Sequence, residues 1–292
     1  MVVWGEVHFG ALEGWGNSAA GSLSESIVLC AHLCHPAMAN DDLTGVAVGV
    51  EVMRRLLSRP NRGYTYRFLI LPETIGSICW LSQHEQLIPN LRGGLFLEML
   101  GLDQPHAIQR SFAGDTALDD CFVKALKDAD AQSWCGAFRT VIGNDERQFN
   151  AQGLRIPMLS LSRVLPGDHP DAPYREYHSC CDDIASVHAH RLDESVEIVM
   201  SLINAWEECQ IPVNLFKGEV FCSRYGVHVD RYRDPEGNKN LFDIMYLLDG
   251  TRTMSAIAET LGVPLEVVER TARQLQYKGL VDLPRSSERH FS

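Results

Sequence analysis

Long apolar runs are missing from this sequence. Nowhere do its 292 residues hold the roughly 18 to 20 uninterrupted apolar positions that a helix needs to cross a bilayer, which excludes an integral helical membrane protein. The start, Met1-Val2-Val3-Trp4-Gly5-Glu6, lacks the basic residues and apolar core of a secretory leader, so a cytoplasmic location is expected. Positive charge is also short. Twenty-six Lys and Arg face 38 Asp and Glu, and a net charge of −12 argues against a role in coating nucleic acid. The nine cysteines have no regular spacing and are odd in number, so they read as reduced thiols and not as a disulfide framework. Internal repeats and low-complexity tracts are absent. What remains is 45% apolar and 22% charged, ordinary globular proportions for one large core plus a small appended module, with small molecules or peptides as partners.

Apolar runs alternate with amphipathic stretches in the rhythm of an α/β sheet. Strands are expected at 27–31, 66–71, 94–99 and 158–161, and helices at 45–57, 77–84, 116–130 and 192–208. Polar residues follow each strand closely, so the strand ends should form a shared rim where such sheets gather their sites. A charged run with Pro and Gly at 230–238 suits a linker. Beyond it, amphipathic helices are expected at 241–248, 253–261 and 265–278, and Leu280-Val281-Asp282-Leu283 has the look of a wing. The organisation is therefore a domain at 1–229, a linker at 230–238 and a winged-helix domain at 239–292.

The chemistry lies in scattered groups that strand ends can bring together. The stretch from His32 to Gly45 supplies His32, His35 and Asp41, and the Cys34-His35-Pro36 placement favours His35 over His32 as a ligand. Glu73 follows the second core strand. Glu98 ends the third strand in an apolar setting, where a carboxylate is costly unless a cation or donor meets it. Asn144-Asp145-Glu146-Arg147 and Glu176-Tyr177-His178 complete the set. Imidazole and carboxylate are ligands that zinc accepts at catalytic sites, and a free carboxylate nearby can deprotonate water there. Each signal has a plainer reading. His8, His84, His106, His188, His190 and His228 read as hydrogen-bonded structural residues, Cys30, Cys34, Cys180 and Cys181 as small buried hydrophobes, and Asp145-Glu146-Arg147 as a solvated turn with its own ion pair.

Taken in order, these residues resemble the co-catalytic zinc aminopeptidases, the M-28 peptidases, and most closely a branch of aminopeptidase-like proteins whose catalytic domain is followed by a winged helix. The resemblance runs from about Trp4 to Leu283. It implies a zinc exopeptidase-like fold, α/β with a mixed, mostly parallel sheet flanked by helices. It assigns one or two zinc ions to His35, Asp41, Glu98 and His178, with Asp41 bridging, and makes Glu73 the general base. Where the family has two adjacent glutamates, this chain reads Glu73-Thr74. The second metal then loses its carboxylate, or recruits Glu146, Asp145 or Glu73. Related proteins also carry sequence ahead of Met1, so either this is a shortened form or residues 1–20 supply the first strands.

The expected function is a zinc-dependent hydrolase that removes an N-terminal residue or acyl group from a peptide or small amide. Asp145, Glu146, Arg147 and Tyr177 are candidates for holding the substrate or a second metal. The alternatives are a metal-free scaffold or binding protein, a glutaminyl-cyclase-like acyl transfer that needs one metal, and a DNA-reading regulator. Glu266 and Glu269 in the third C-terminal helix offset Arg270, Arg273 and Lys278 and argue against DNA. The C-terminal module is more economically read as packing on the catalytic domain or on a second copy in a homo-oligomer.

Overall fold

Ile27-Val28-Leu29-Cys30-Ala31 has no polar face to give to water, and it folds as a strand buried on both sides. The computed structural model describes residues 12–14, 25–34, 39–59, 62–169 and 172–286. The chain falls into two units, residues 1–115 with 122–204, and residues 116–121 with 205–292. In chain order the elements as far as residue 208 are β1 (Leu12–Gly14), β2 (Ser26–His32), α1 (Thr44–Leu57), β3 (Thr65–Leu71), α2 (Ile75–Gln83), β4 (Leu91–Leu97), β5 (His106–Gln109), α3 (Ala117–Ala129), β6 (Trp134–Gly136), α4 (Glu146–Phe149), β7 (Met158–Arg163) and α5 (Ala189–Glu208). The last part of the chain contributes β8 (Val213–Asn214), α6 (Cys222–Tyr225), α7 (Pro235–Leu247), α8 (Met254–Leu261), α9 (Leu265–Tyr277) and β9 (Val281–Asp282).

The first unit is built on a seven-stranded sheet in the order β1-β3-β2-β4-β7-β5-β6. Neighbours β3-β2, β2-β4, β4-β7 and β5-β6 are parallel, while β1-β3 and β7-β5 are antiparallel. The sheet is thus mixed and mostly parallel, flanked by helices, as the family resemblance implies. Val48, Val52, Met53 and Leu56 bury one face of α1 at helical spacing, and α1 packs over β2, β3 and β4. On the same strands Val28, Cys30, Leu69, Phe96, Phe149 and Met158 share a second apolar cluster with Trp80. Because β2, β3 and β4 run the same way, His32, Leu71 and Leu97 end together, and the residues after them meet at one edge.

In the second unit Ile244, Ile257, Val268, Ala272 and Leu275 interlock α7, α8 and α9 around one core. That core also takes in Val220, Cys222 and Val227, so the division falls at 205 and not at the expected 230. The residues read as a linker are a helix start. The Asp234 carboxylate accepts from the Gly237 N–H at 2.8 Å and Pro235 stands first in α7, so charge, Pro and Gly here serve capping. Val281 and Asp282 do form a strand, but it pairs antiparallel with β8, well ahead of the helices in sequence. No described helix is long and apolar enough to cross a membrane.

Candidate metal centre

Three chain segments converge where β2, β3 and β4 end. His32 is the last residue of β2, the loop Ala39–Leu43 leads into α1, and Glu98 follows β4 directly. Asp42 ties them together: its carboxylate accepts from the backbone N–H groups of His32 (3.2 Å), Gly45 (3.0 Å) and Met99 (3.3 Å). Gly45 is required at this crossing, because a Cβ there would overlap the Leu97 carbonyl and both Asp42 carboxylate oxygens. Asp41 and Asp42 leave helical geometry, at φ −112° and −140°, which turns neighbouring carboxylates in different directions. Asp42 faces backbone while Asp41 faces the side chains of the centre.

His32 Nε2 lies 2.8 Å from Asp41 Oδ1 and 3.6 Å from Glu98 Oε1. All three side chains are buried, and each offers one donor atom within 4.8 Å of the others, the only such group of three among the described residues. On the far side of the same carboxylate, His178 Nε2 lies 3.1 Å from Asp41 Oδ2. His178 is half exposed and its ring stacks on Tyr177 at 3.9 Å. Non-glycine residues with positive φ gather here: Thr74 (62°), Met99 (54°) and His178 (52°) stand beside or within the site segments. Left-handed backbone costs about 1 kcal/mol or more per residue, and it commonly marks functional sites.

The electrostatics are those of a site short of positive charge. Burial raises Glu98 to about 7, against the pull of His32. Burial also lifts Glu146 to about 8, helped by Glu98, and raises Asp42 and Asp145. For His32 burial works downward, but the Asp41 and Glu98 carboxylates outweigh it and hold the imidazole at about 12. Glu98 Oε1 accepts from Asn144 Nδ2 at 2.5 Å, whereas Glu98 Oε2 is buried without a hydrogen-bond partner among the described residues. A cation at this point would meet that oxygen and reverse the upward pressure on the carboxyls. The donor set, one imidazole and two carboxylates, fits zinc.

The structure sorts the other expected residues. His35 lies outside the described residues, and it is His32 that stands with Asp41 and Glu98. Glu73 is half exposed in the turn after β3, 3.7 Å from Arg147, and it is not among the three close donors. Glu146 is a brace and does not face the site mouth. Both its oxygens accept from the Asn144 N–H, and Oε1 also accepts from Gln109 Nε2. Asp145 is fully buried; its Oδ1 accepts from the Thr74 N–H and the Ser77 hydroxyl, fixing the turn that carries Glu73, and its Oδ2 has no partner. Of the three residues read as a solvated turn, only Arg147 is partly exposed. Cys30 is buried as expected, but Cys34, Cys180 and Cys181 are exposed, because they sit on loops beyond the strand ends. All nine cysteines are free thiols.

Two residues lie in the segments the sequence singles out but were given no role there. Asn144 donates to Glu98. Asp182 accepts from the Asn40 and Asp41 N–H groups (3.0 and 3.1 Å), from Asn40 Nδ2 and from the Tyr174 hydroxyl (2.9 Å), so it pins the Asp41 loop to the segment that carries His178. The sequence signal for Asp182 was its place four residues after His178 in the same candidate segment.

Comparison with known proteins places this geometry in context. The family model described as a domain of unknown function, DUF4910, matches residues 6–209. A Clostridium acetobutylicum protein, named provisionally as a polysaccharide biosynthesis protein with an aminopeptidase-like domain, is 30% identical over 271 residues, covering 90% of this chain and 60% of its own length. A crystal structure of a provisionally named peptidase from the same organism superposes with a TM-score of 0.65 at 27% identity, over 94% of this chain and 60% of that one. A zinc aminopeptidase from Bacillus subtilis superposes at 0.53 with 16% identity, over 64% of this chain and 47% of its own, which is likeness of fold. The chain therefore spans about three fifths of the length of these two Clostridium acetobutylicum proteins.

Proposed function

This chain belongs to the DUF4910 family and its fold is aminopeptidase-like, and from that premise we propose that it is a zinc-dependent hydrolase acting on the N-terminal residue or acyl group of a peptide or small amide. The observation that carries this reading is the buried trio His32, Asp41 and Glu98, with Glu98 Oε2 left without a partner. These three would hold one ion, and Asp41 together with His178 would be the residues available to a second. Zinc in such a set supplies Lewis acidity, polarising a scissile carbonyl and acidifying water. Glu73 is the general base: it takes a proton from the attacking water and returns it to the leaving amine. Its position supports the role, since Leu71 pairs with His32 across the sheet and Glu73 follows two residues later. Arg147, partly exposed beside Glu73, meets an anionic group of the substrate, while Tyr177 stacks behind His178 and fixes its ring.

Elemental analysis of protein purified without added metal or chelator tests the reading. One to two zinc ions per chain are expected, falling in His32→Ala and His178→Ala, while His35→Ala reports on the second histidine of the segment. No metal in the unaltered protein, even after zinc is restored, overturns it. Thr74, standing where a second carboxylate would be, favours a second reading with one ion and glutaminyl cyclisation. The product separates the two: a cyclised terminus against a released residue.

A further inference from the structure

We propose that Cys34 is the positioning residue that orients His32 for metal binding, which makes the centre depend on an exposed thiol. This rests on the reading of His32 as a ligand. Cys34 Sγ lies 3.5 Å from His32 Nδ1, on the opposite side of the ring from Nε2, which faces Asp41 and Glu98. An imidazole that gives Nε2 to a cation keeps its hydrogen on Nδ1, and that N–H needs an acceptor. Cys34 sulfur is in place to accept it. The Phe96 ring, roughly parallel at 6.1 Å, lies over the face of the imidazole and offers no in-plane acceptor. The Asp42 carboxylate accepts from the His32 backbone N–H, so it fixes the residue's main chain and not its ring. A carboxylate or carbonyl usually takes this part beside a metal-bound histidine, and its loss typically costs 10- to 100-fold in affinity. Cys34 differs from those acceptors in being both exposed and chemically reactive.

The test is zinc affinity, measured by competition with a chromophoric chelator, on the unaltered chain and on Cys34→Ala, Cys34→Ser and Cys34→Asp. Affinity roughly 10- to 100-fold weaker is expected for Cys34→Ala, with recovery in Cys34→Asp, whose carboxylate accepts the same hydrogen. Long-range proton–nitrogen correlation spectra of His32 in the zinc-loaded protein should show the Nδ1–H tautomer in the unaltered chain and a loosened ring in Cys34→Ala. Zinc-free melting curves of the variants identify any that fail to fold, and Cys34→Asp then carries the comparison. Wild-type zinc binding with Cys34→Ala within twofold of it overturns this inference alone. No zinc binding by the unaltered protein overturns the metal reading and this inference with it.

Discussion

Glu98 brings a carboxylate to a place from which water is excluded, and what it meets there decides the character of the site. One oxygen is met by Asn144 and by His32, the other by nothing among the described residues. A buried carboxylate oxygen without a donor costs on the order of 1 to 3 kcal/mol or more, and a bound cation removes that cost. Glu73 is the opposite case: half exposed and opposite Arg147, it has room for substrate and solvent. Replacing Glu73 with Gln keeps the shape and removes the base. Turnover is expected to fall by roughly 100-fold or more while zinc content is unchanged, as measured by kcat alongside elemental analysis. Full activity in that variant would remove Glu73 from the mechanism.

Among the elements, the loop Ala39–Leu43 depends on a residue far from it in sequence. Asp182 gathers hydrogen bonds from Asn40, Asp41 and Tyr174, and its replacement by Ala leaves those buried donors unmet. Asp182→Ala should lose about 2 to 4 kcal/mol in urea unfolding and weaken zinc affinity together. The junction of β5, β7 and α5 makes a second buried network. His106 Nδ1 donates to Asp130 at 2.8 Å, while Ser195 Oγ lies 3.1 Å from His106 Nε2 and accepts from Arg163 Nε at 3.1 Å. Burial, reinforced by Arg163, lowers His106 to about 4 although Asp130 pulls upward. The folded state thus favours the neutral ring. Its contribution is fully present above pH 6.5 and is lost as pH falls from 6.5 through 4, a loss of roughly 3 kcal/mol. Raised carboxyls such as Glu146 act with the opposite sign, so the informative quantity is the difference between the unaltered chain and His106→Asn in urea unfolding from pH 7 to 4.5. The variant should show a flatter acid limb. The core strands were legible in the sequence because their apolar runs are long enough to show a pattern. β5 and β6, four and three residues long, carry no period and were not foreseen. The capped start of α7 was mistaken for a linker because Asp, Pro and Gly serve both. At the site, Asp41 and Glu98 stood out as carboxylates beside strand ends, whereas choosing between His32 and His35 needs the strand's last residue, which periodicity fixes only to within a few positions.

For the whole molecule, a metal held by the buried trio would be linked to folding. If the folded chain binds zinc and the unfolded chain does not, zinc at 100 times its Kd stabilises the first unit by about 2.7 kcal/mol. Its melting temperature should then rise by about 5 to 10 °C, and a chelator should return it to the starting value. Calorimetry with and without zinc measures both; an unchanged transition would mean that the buried trio binds nothing. The clamp between Asn40 and Asp182 spans 142 positions of the chain. Every residue from 40 to 182 must therefore be in hand before the loop bearing Asp41 is fixed, so on a ribosome the candidate centre is among the later parts of the unit to be completed. A translation product halted at residue 170 would carry His32, Asp41 and Glu98 and still lack Asp182, the residue that pins the loop bearing Asp41.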